Sequence, residues 1–288
     1  VAGIAVGNAA TGATEAAAPN NFLWGQGVAP AARYVTQNFL GPNAGNPSDA
    51  TLARDAVVNG AVAMNNSWAG VQSAASGYDV ACVAWDKAVR DANSDVAALQ
   101  PLIPVFAAAN FGGMPTTLGS PAEAKNTIVV GNGLTFRPGV GHPSDNIRGV
   151  ADSSGRGPTV DGRIAPTVVA PGTDVTAAWA RNGSTADYGA SLVAGTGAAQ
   201  PDGTLINAYL RISGTSMAAP HVTGACALIT EWWRARTGGK TPSAALVKAL
   251  LVNSAEDMAG GPNWRQVNRN QEAAQWSLVS GSVHQRPL

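Results

Sequence analysis

Charge is scarce in this chain. Only 12% of its 288 residues are Asp, Glu, Lys or Arg, and the 18 acidic and 18 basic side chains cancel. That balance argues against a nucleic-acid surface and against an electrostatic membrane anchor, which both need a basic excess. Long apolar runs are missing as well. None reaches the ~18 residues of a membrane-spanning helix. Cysteine is limited to Cys82 and Cys226. Both fall in apolar, helix-like contexts, where a free thiol behaves as a small buried hydrophobe. No Cys/His spacing suggests zinc. Histidine is equally rare, with only His142, His221 and His284.

Glycine and alanine are plentiful, which suits close helix–sheet packing and many turns. The length allows one large domain with a sizeable core. Arg33 to Phe39 reads as a strand, Thr51 to Asn59 as a helix and Ala61 to Asn66 as a strand. Val80 to Ala92 reads as a helix with Val80, Val83, Ala84 and Ala88 on one face. Strands follow at Leu102–Ala109, Thr127–Gly131 and Thr167–Ala170, then a long helix near Ser216. A last helix is expected from a Thr241 cap and Pro242 to about Asn253. Such alternation predicts an α/β fold with a parallel sheet flanked by helices. Residues 1–288 show no repeat and no dividing linker, and the Gly-, Ala- and Ser-rich stretch at about 182–207 reads as an insertion.

The densest chemistry lies in Gly214-Thr215-Ser216-Met217-Ala218-Ala219-Pro220-His221-Val222. A serine follows a Gly-Thr turn at the start of an apolar helix. Pro220 is expected in the first helical turn, where few backbone donors have intrahelical partners. The helix N-terminus directs a partial positive charge at Ser216, favourable for developing negative charge. Ser216 reads as a nucleophile or as an ordinary cap. His221 shares the same stretch and reads as a packing or hydrogen-bonding residue. His142 and His284 read as surface residues. A lipase-type elbow needs glycine two residues after the serine, where this chain has Ala218.

Upstream, Pro104-Val105-Phe106-Ala107-Ala108-Ala109-Asn110 reads as a buried strand ending in a polar residue. Asn110 reads as an oxyanion donor or as a turn residue opening a loop. Three more stretches complete the pattern. They are Gly27–Tyr34, Met64-Asn65-Asn66-Ser67-Trp68-Ala69-Gly70, and Ser153–Thr159 followed by Asp161-Gly162-Arg163 and Ala170-Pro171-Gly172. In this order, the five segments resemble the subtilisin-like serine proteases, the subtilases, over most of the chain.

The resemblance implies a subtilisin-like parallel sheet flanked by helices. Ser216 would attack the scissile carbonyl, and the Asn110 amide would hold the oxyanion. An extended polypeptide substrate would lie along Ser67, Trp68, Ala69 and Gly70. Its specificity pocket would be lined by Ala107, Ala108 and Ala109 on one side and by Gly119, Ser120, Pro121 and Ala122 on the other. Small residues there imply room for a large apolar or aromatic side chain. Tight strand packing remains the alternative for the alanines, and a plain core position for Trp68. The family's catalytic histidine and aspartate have no counterpart in the sequence. Val1–Asn8 resembles the helix that follows the histidine block, so the sheet is expected to miss its first strands. A missing N-terminal subtilase segment is then the expected partner, needed for activity and for stable folding. No cofactor is expected for the chemistry. Structural calcium is frequent in the family, although no acidic cluster here resembles a complete loop. Secretion is usual in the family, which points to an extracellular location.

Overall fold

Alternate residues of one buried strand, Ile103–Ala107, face two different layers, and that alternation organises the fold. Phe106 points into a cluster with Leu52, Ala53, Cys82, Trp85 and Leu118. Ile103, Val105 and Ala107 point the other way, towards Ala218, Ala219, Val222 and Cys226. The computed structural model describes residues 1–10, 12, 23–39, 44–70, 77–136, 146–179, 192–193, 209–256 and 258. His142, His284 and nearly all of the 182–207 stretch lie outside them.

In chain order the elements are α1 (Ala2–Val6), α2 (Asp49–Val58), β1 (Ala63–Asn66), α3 (Val80–Arg90), β2 (Ile103–Ala107) and β3 (Ile128–Gly133). Next come β4 (Val168–Pro171), β5 (Val175–Ala178), β6 (Leu192–Val193), β7 (Tyr209–Ile212), α4 (Thr215–Arg236) and α5 (Ala244–Ser254). Strands β1 to β4 form a parallel sheet in sequence order. Every residue of β2 and β3 is buried, as expected for parallel strands covered on both faces. Helices α2 and α3 cover one face, while α4 and α5 cover the other. A smaller antiparallel sheet, in the order β5-β7-β6, packs with α1 around Ile4, Val175, Ala177 and Met217.

The α/β architecture and the parallel sheet agree with the sequence reading. Four local expectations fail for identifiable reasons. Residues 33–39 form no strand. Tyr34 and Val35 are exposed, and β-prone residues without a neighbouring strand gain no ladder. The buried face of α3 is Cys82, Trp85 and Ala88, with Val80 87% exposed. The large Trp85 ring sets the helix phase, and its indole N–H reaches Asp49 Oδ1 at 2.9 Å. Helix α5 is capped by Ser243, whose hydroxyl accepts from Leu246 N at 3.2 Å, rather than by Thr241. Strands β5 to β7 were not anticipated, since two- to four-residue segments carry almost no periodicity.

The two thiols are free and sit in the clusters on opposite faces of the sheet. Burial pushes the Cys82 thiol up to about 11 and the Cys226 thiol up to about 12. Among the described residues, no helix is long and apolar enough to cross a membrane. No group of three or more His, Cys, Asp or Glu side chains among them could hold a metal ion.

Candidate active site

The C-terminal ends of β1 and β2 deliver the first parts of the site. Asn66 pairs with Phe106, so Ser67 leaves the sheet beside the end of β2, and the chain beyond β2 reaches Asn110 three residues later. The third part is the first turn of α4. Its cap is Gly214, at φ 150, and Ser216 is the second helical residue. Ser216 is therefore not the N-cap.

Asn110 is held by a contact 105 residues away in sequence. Its Oδ1 accepts from Thr215 N at 2.9 Å and from Thr215 Oγ1 at 3.0 Å. A backbone N–H can only donate, so the carboxamide oxygen must face Thr215. The amide Nδ2 is then the end presented away from Thr215, and Asn110 is exposed. That geometry excludes a purely local turn role for Asn110. Other donors of the first turn are occupied as well. Gly214 N binds Gly172 O at 2.8 Å, and Met217 N binds Gly214 O at 2.9 Å.

Pro220 explains the contact on the other side of Ser216. It is the sixth residue of α4, one turn later than expected. Lacking an N–H, it cannot bond the carbonyl four residues back, which is that of Ser216. Ser67 Oγ supplies the missing donor to Ser216 O at 2.9 Å. The Ser216 hydroxyl donates in turn to Ser67 O at 3.2 Å. Behind this pair, Asn65 Nδ2 donates to Ser67 Oγ at 2.9 Å, and Thr223 Oγ1 donates to Asn65 Oδ1 at 3.2 Å. The brace ties two turns of α4 to the end of β1. Removing its hydroxyl with Ser67→Ala leaves the Ser216 carbonyl unpaired, at a cost of ~1–3 kcal/mol. Chemical denaturation should show that loss, whereas an unchanged midpoint would mean the carbonyl finds another donor.

Among the described residues, no titratable side chain hydrogen-bonds Ser216. His221 turns towards its own helix, with Nδ1 2.9 Å from Met217 O. A carbonyl only accepts, so that contact places the proton on Nδ1. Burial lowers the His221 pKa below its usual value, and the bond to Met217 opposes that only in part. The hydrogen-bonding role expected for His221 is thus what the structure shows.

The substrate-side residues divide. Ala107 packs under α4, and Ala108 packs with Trp85, Phe106 and Leu118 on the opposite face, so both are core residues. Trp68 lies tilted to Phe39 and edge-on to Phe106, each at 5.5 Å between ring centroids, and packs half-buried against the same core. Ala69, Gly70 and Ala109 do converge on Gly119. A β-carbon on Gly119 would stand 3.0 Å from Ala69 Cβ, 3.4 Å from Ala109 Cβ and 3.7 Å from Gly70 O. Gly70 N also donates to Ser120 O at 2.8 Å. The methyl groups of Ala69 and Ala109 thus stand close over Gly119, where the residue types alone implied room for an aromatic side chain.

Comparison with known proteins settles the ancestry. The profile of the subtilase family matches residues 1–275. The chain belongs to the subtilase family. Pyrolysin of Pyrococcus furiosus is 30% identical over 175 residues, which cover 55% of this chain and 11% of pyrolysin. The Serine protease/ABC transporter B family protein tagB of Dictyostelium discoideum is 29% identical over 148 residues, covering 48% of this chain and 7% of that protein. The chain thus spans about a tenth of the length of these curated relatives. Among solved structures, the self-cleaved protease domain of PatA superposes with a TM-score of 0.54 at 22% identity, over 96% of this chain and 79% of that one. It shares the fold. Family membership and fold therefore agree.

The subtilase reading of the sequence singled out Ser216 and Asn110 and gave no role to Thr215, Asn65 or Thr223, although Thr215 and Asn65 both lie inside the quoted blocks. Asn65 and Thr223 are joined by a hydrogen bond between residues 158 apart, which no local pattern announces.

Proposed function

We propose that this chain is the nucleophile-bearing part of an extracellular serine endopeptidase that works through an acyl-enzyme at Ser216. The observation that carries the reading is the pair of hydrogen bonds from Thr215 N and Thr215 Oγ1 to Asn110 Oδ1, which turns the Asn110 amide nitrogen outward one residue from the nucleophile. Ser216 Oγ attacks the peptide carbonyl carbon and gives up its proton to a histidine. The carbonyl oxygen gains the negative charge, and Asn110 Nδ2 with the Ser216 backbone amide donates to it. The partial positive charge at the start of α4 adds to that stabilisation. Collapse of the intermediate breaks the C–N bond, and the histidine proton leaves on the amine. Water then takes the place of the amine and releases the acid, restoring Ser216.

A histidine base oriented by an aspartate is required for this cycle. We assign both to a further subtilase segment. His221 is tied to Met217 O, and no Asp-Thr-Gly or Asp-Ser-Gly follows an apolar run. Without that segment Ser216 stays hydrogen-bonded to Ser67 O, an arrangement that suits a peptide-binding pseudoprotease. A fluorophosphonate probe separates the two readings. Applied to a parent protein that holds this chain together with the proposed histidine and aspartate segment, it should place one adduct on Ser216, abolished in Ser216→Ala. Applied to residues 1–288 alone, it should leave no adduct. A parent protein that resists the probe entirely would leave only the pseudoprotease reading.

A further inference from the structure

We propose that the pocket beside Ser216 accepts only a small side chain, and that the methyl groups of Ala69 and Ala109 set this limit. The preferred substrates are then polypeptides with glycine, alanine or serine on the acyl side of the cut. The inference rests on the peptidase reading of Ser216 and Asn110.

Gly119 forms the buried floor. One added carbon on it would already stand 3.0 Å from Ala69 Cβ and 3.4 Å from Ala109 Cβ. Carbon atoms prefer separations of about 3.5–4.0 Å, so the space above Gly119 is filled by these two methyls. They come from opposite walls, one following β1 and the other following β2. Neither wall is loose. Gly70 N donates to Ser120 O at 2.8 Å, closing one wall onto the floor, and Gly155 N donates to Ala109 O at 2.8 Å, backing the other. A methyl on Gly155 would stand 1.9 Å from Ala108 O, so the second wall cannot retreat. Widening the pocket requires breaking backbone hydrogen bonds, not turning a side chain.

Ala109 adds an independent observation. Its φ is 72°, in the left-handed region where a β-carbon is unfavourable and glycine is relaxed. A methyl kept in such a conformation beside a candidate site points to a use for the methyl itself. Narrowing the pocket is a use that glycine cannot supply. Polarity does not replace the lost room, because the Ser120 hydroxyl faces the Cys82 thiol at 3.9 Å.

The test uses a standard-mechanism protein inhibitor of serine proteases, made with Gly, Ala, Leu or Phe at the residue presented to Ser216. Its affinity for the parent protein is measured by titration calorimetry, a readout that needs no proton transfer. The Ala form should bind at least ~10-fold tighter than the Phe form, since a methylene of misfit in a tight pocket is worth about 10- to 200-fold. In the Ala69→Gly, Ala109→Gly double variant the Phe form should gain by a similar factor, while the Ala form changes little. Melting curves confirm that the variant is folded. Equal binding of the Phe and Ala forms to the unaltered protein would overturn the proposal and leave the peptidase reading intact. Absence of binding by every form would overturn both.

Discussion

Asn110→Leu is expected to slow fluorophosphonate labelling of Ser216 in the parent protein by about 100- to 1000-fold. That range is the loss of turnover known for subtilisin when its oxyanion-hole amide is removed, and it is the loss expected of the proposed role of Asn110. Leucine keeps the volume but presents no donor to the developing charge. Two further variants separate donation from packing. Asn110→Asp retains an acceptor for Thr215 N and Thr215 Oγ1, now 2.9 and 3.0 Å from Oδ1, but puts a negative charge where the oxyanion forms. It should react at least as slowly as the leucine variant. Thr215→Val removes one of the two bonds that orient the amide and keeps the other. Its loss should be smaller, about tenfold or less. An Asn110→Leu protein that labels within threefold of the original rate would remove Asn110 from the chemistry.

The largest effect on stability belongs to Trp85. The ring is wholly buried, lies edge-on to Phe106 at 5.1 Å and tilted to Trp68 at 6.3 Å, and donates to Asp49. Trp85→Ala removes all of these contacts and opens a cavity. Substitutions of this kind cost ~3–5 kcal/mol. For a domain of this size that corresponds to a fall in melting temperature of roughly 5–15 °C. Asp49 would also lose the hydrogen bond that counters its burial, which already raises its pKa above the ordinary value. Differential scanning calorimetry reads the change directly. A shift below 2 °C would show that Phe39, Trp68 and Phe106 close over the gap. Trp68 is the residue after Ser67, so a loosened cluster should also slow labelling of Ser216.

Asn110 lies in a block that the sequence made visible, whereas the place of Trp85 in the core was not legible there. Subtilase blocks are legible because several constraints coincide within a few residues. Ser216 needs the Gly-Thr turn before it, and its helix needs small residues to pack on the sheet. Buried strands such as β2 and β3 were legible because both faces are apolar. Position along a helix was less so. Pro220 looked like a first-turn proline, yet it lies further in, and its missing donor is made good by Ser67, a residue of a different segment. The pocket shows the same limit. Alanine and glycine suggested space, but whether small residues leave space depends on how near the walls stand. The nearness of the Ala69 and Ala109 methyls to Gly119 carries that information, and residue types do not. The phase of α3 was misjudged because its valines carry less apolar surface than Trp85, which claims the interior.

The helix that bears Ser216 also governs when the protein can become compact. It touches α1 and all four strands of the parallel sheet, and at residues 215–236 it follows every one of those strands in the chain. During synthesis the strands emerge first, with one apolar side uncovered until the helix leaves the ribosome. A message truncated before that point yields a polypeptide with one face of its sheet open to solvent, a natural target for chaperones and degradation. The candidate nucleophile and the layer that covers this face of the sheet therefore share one helix, so loss of that helix removes both.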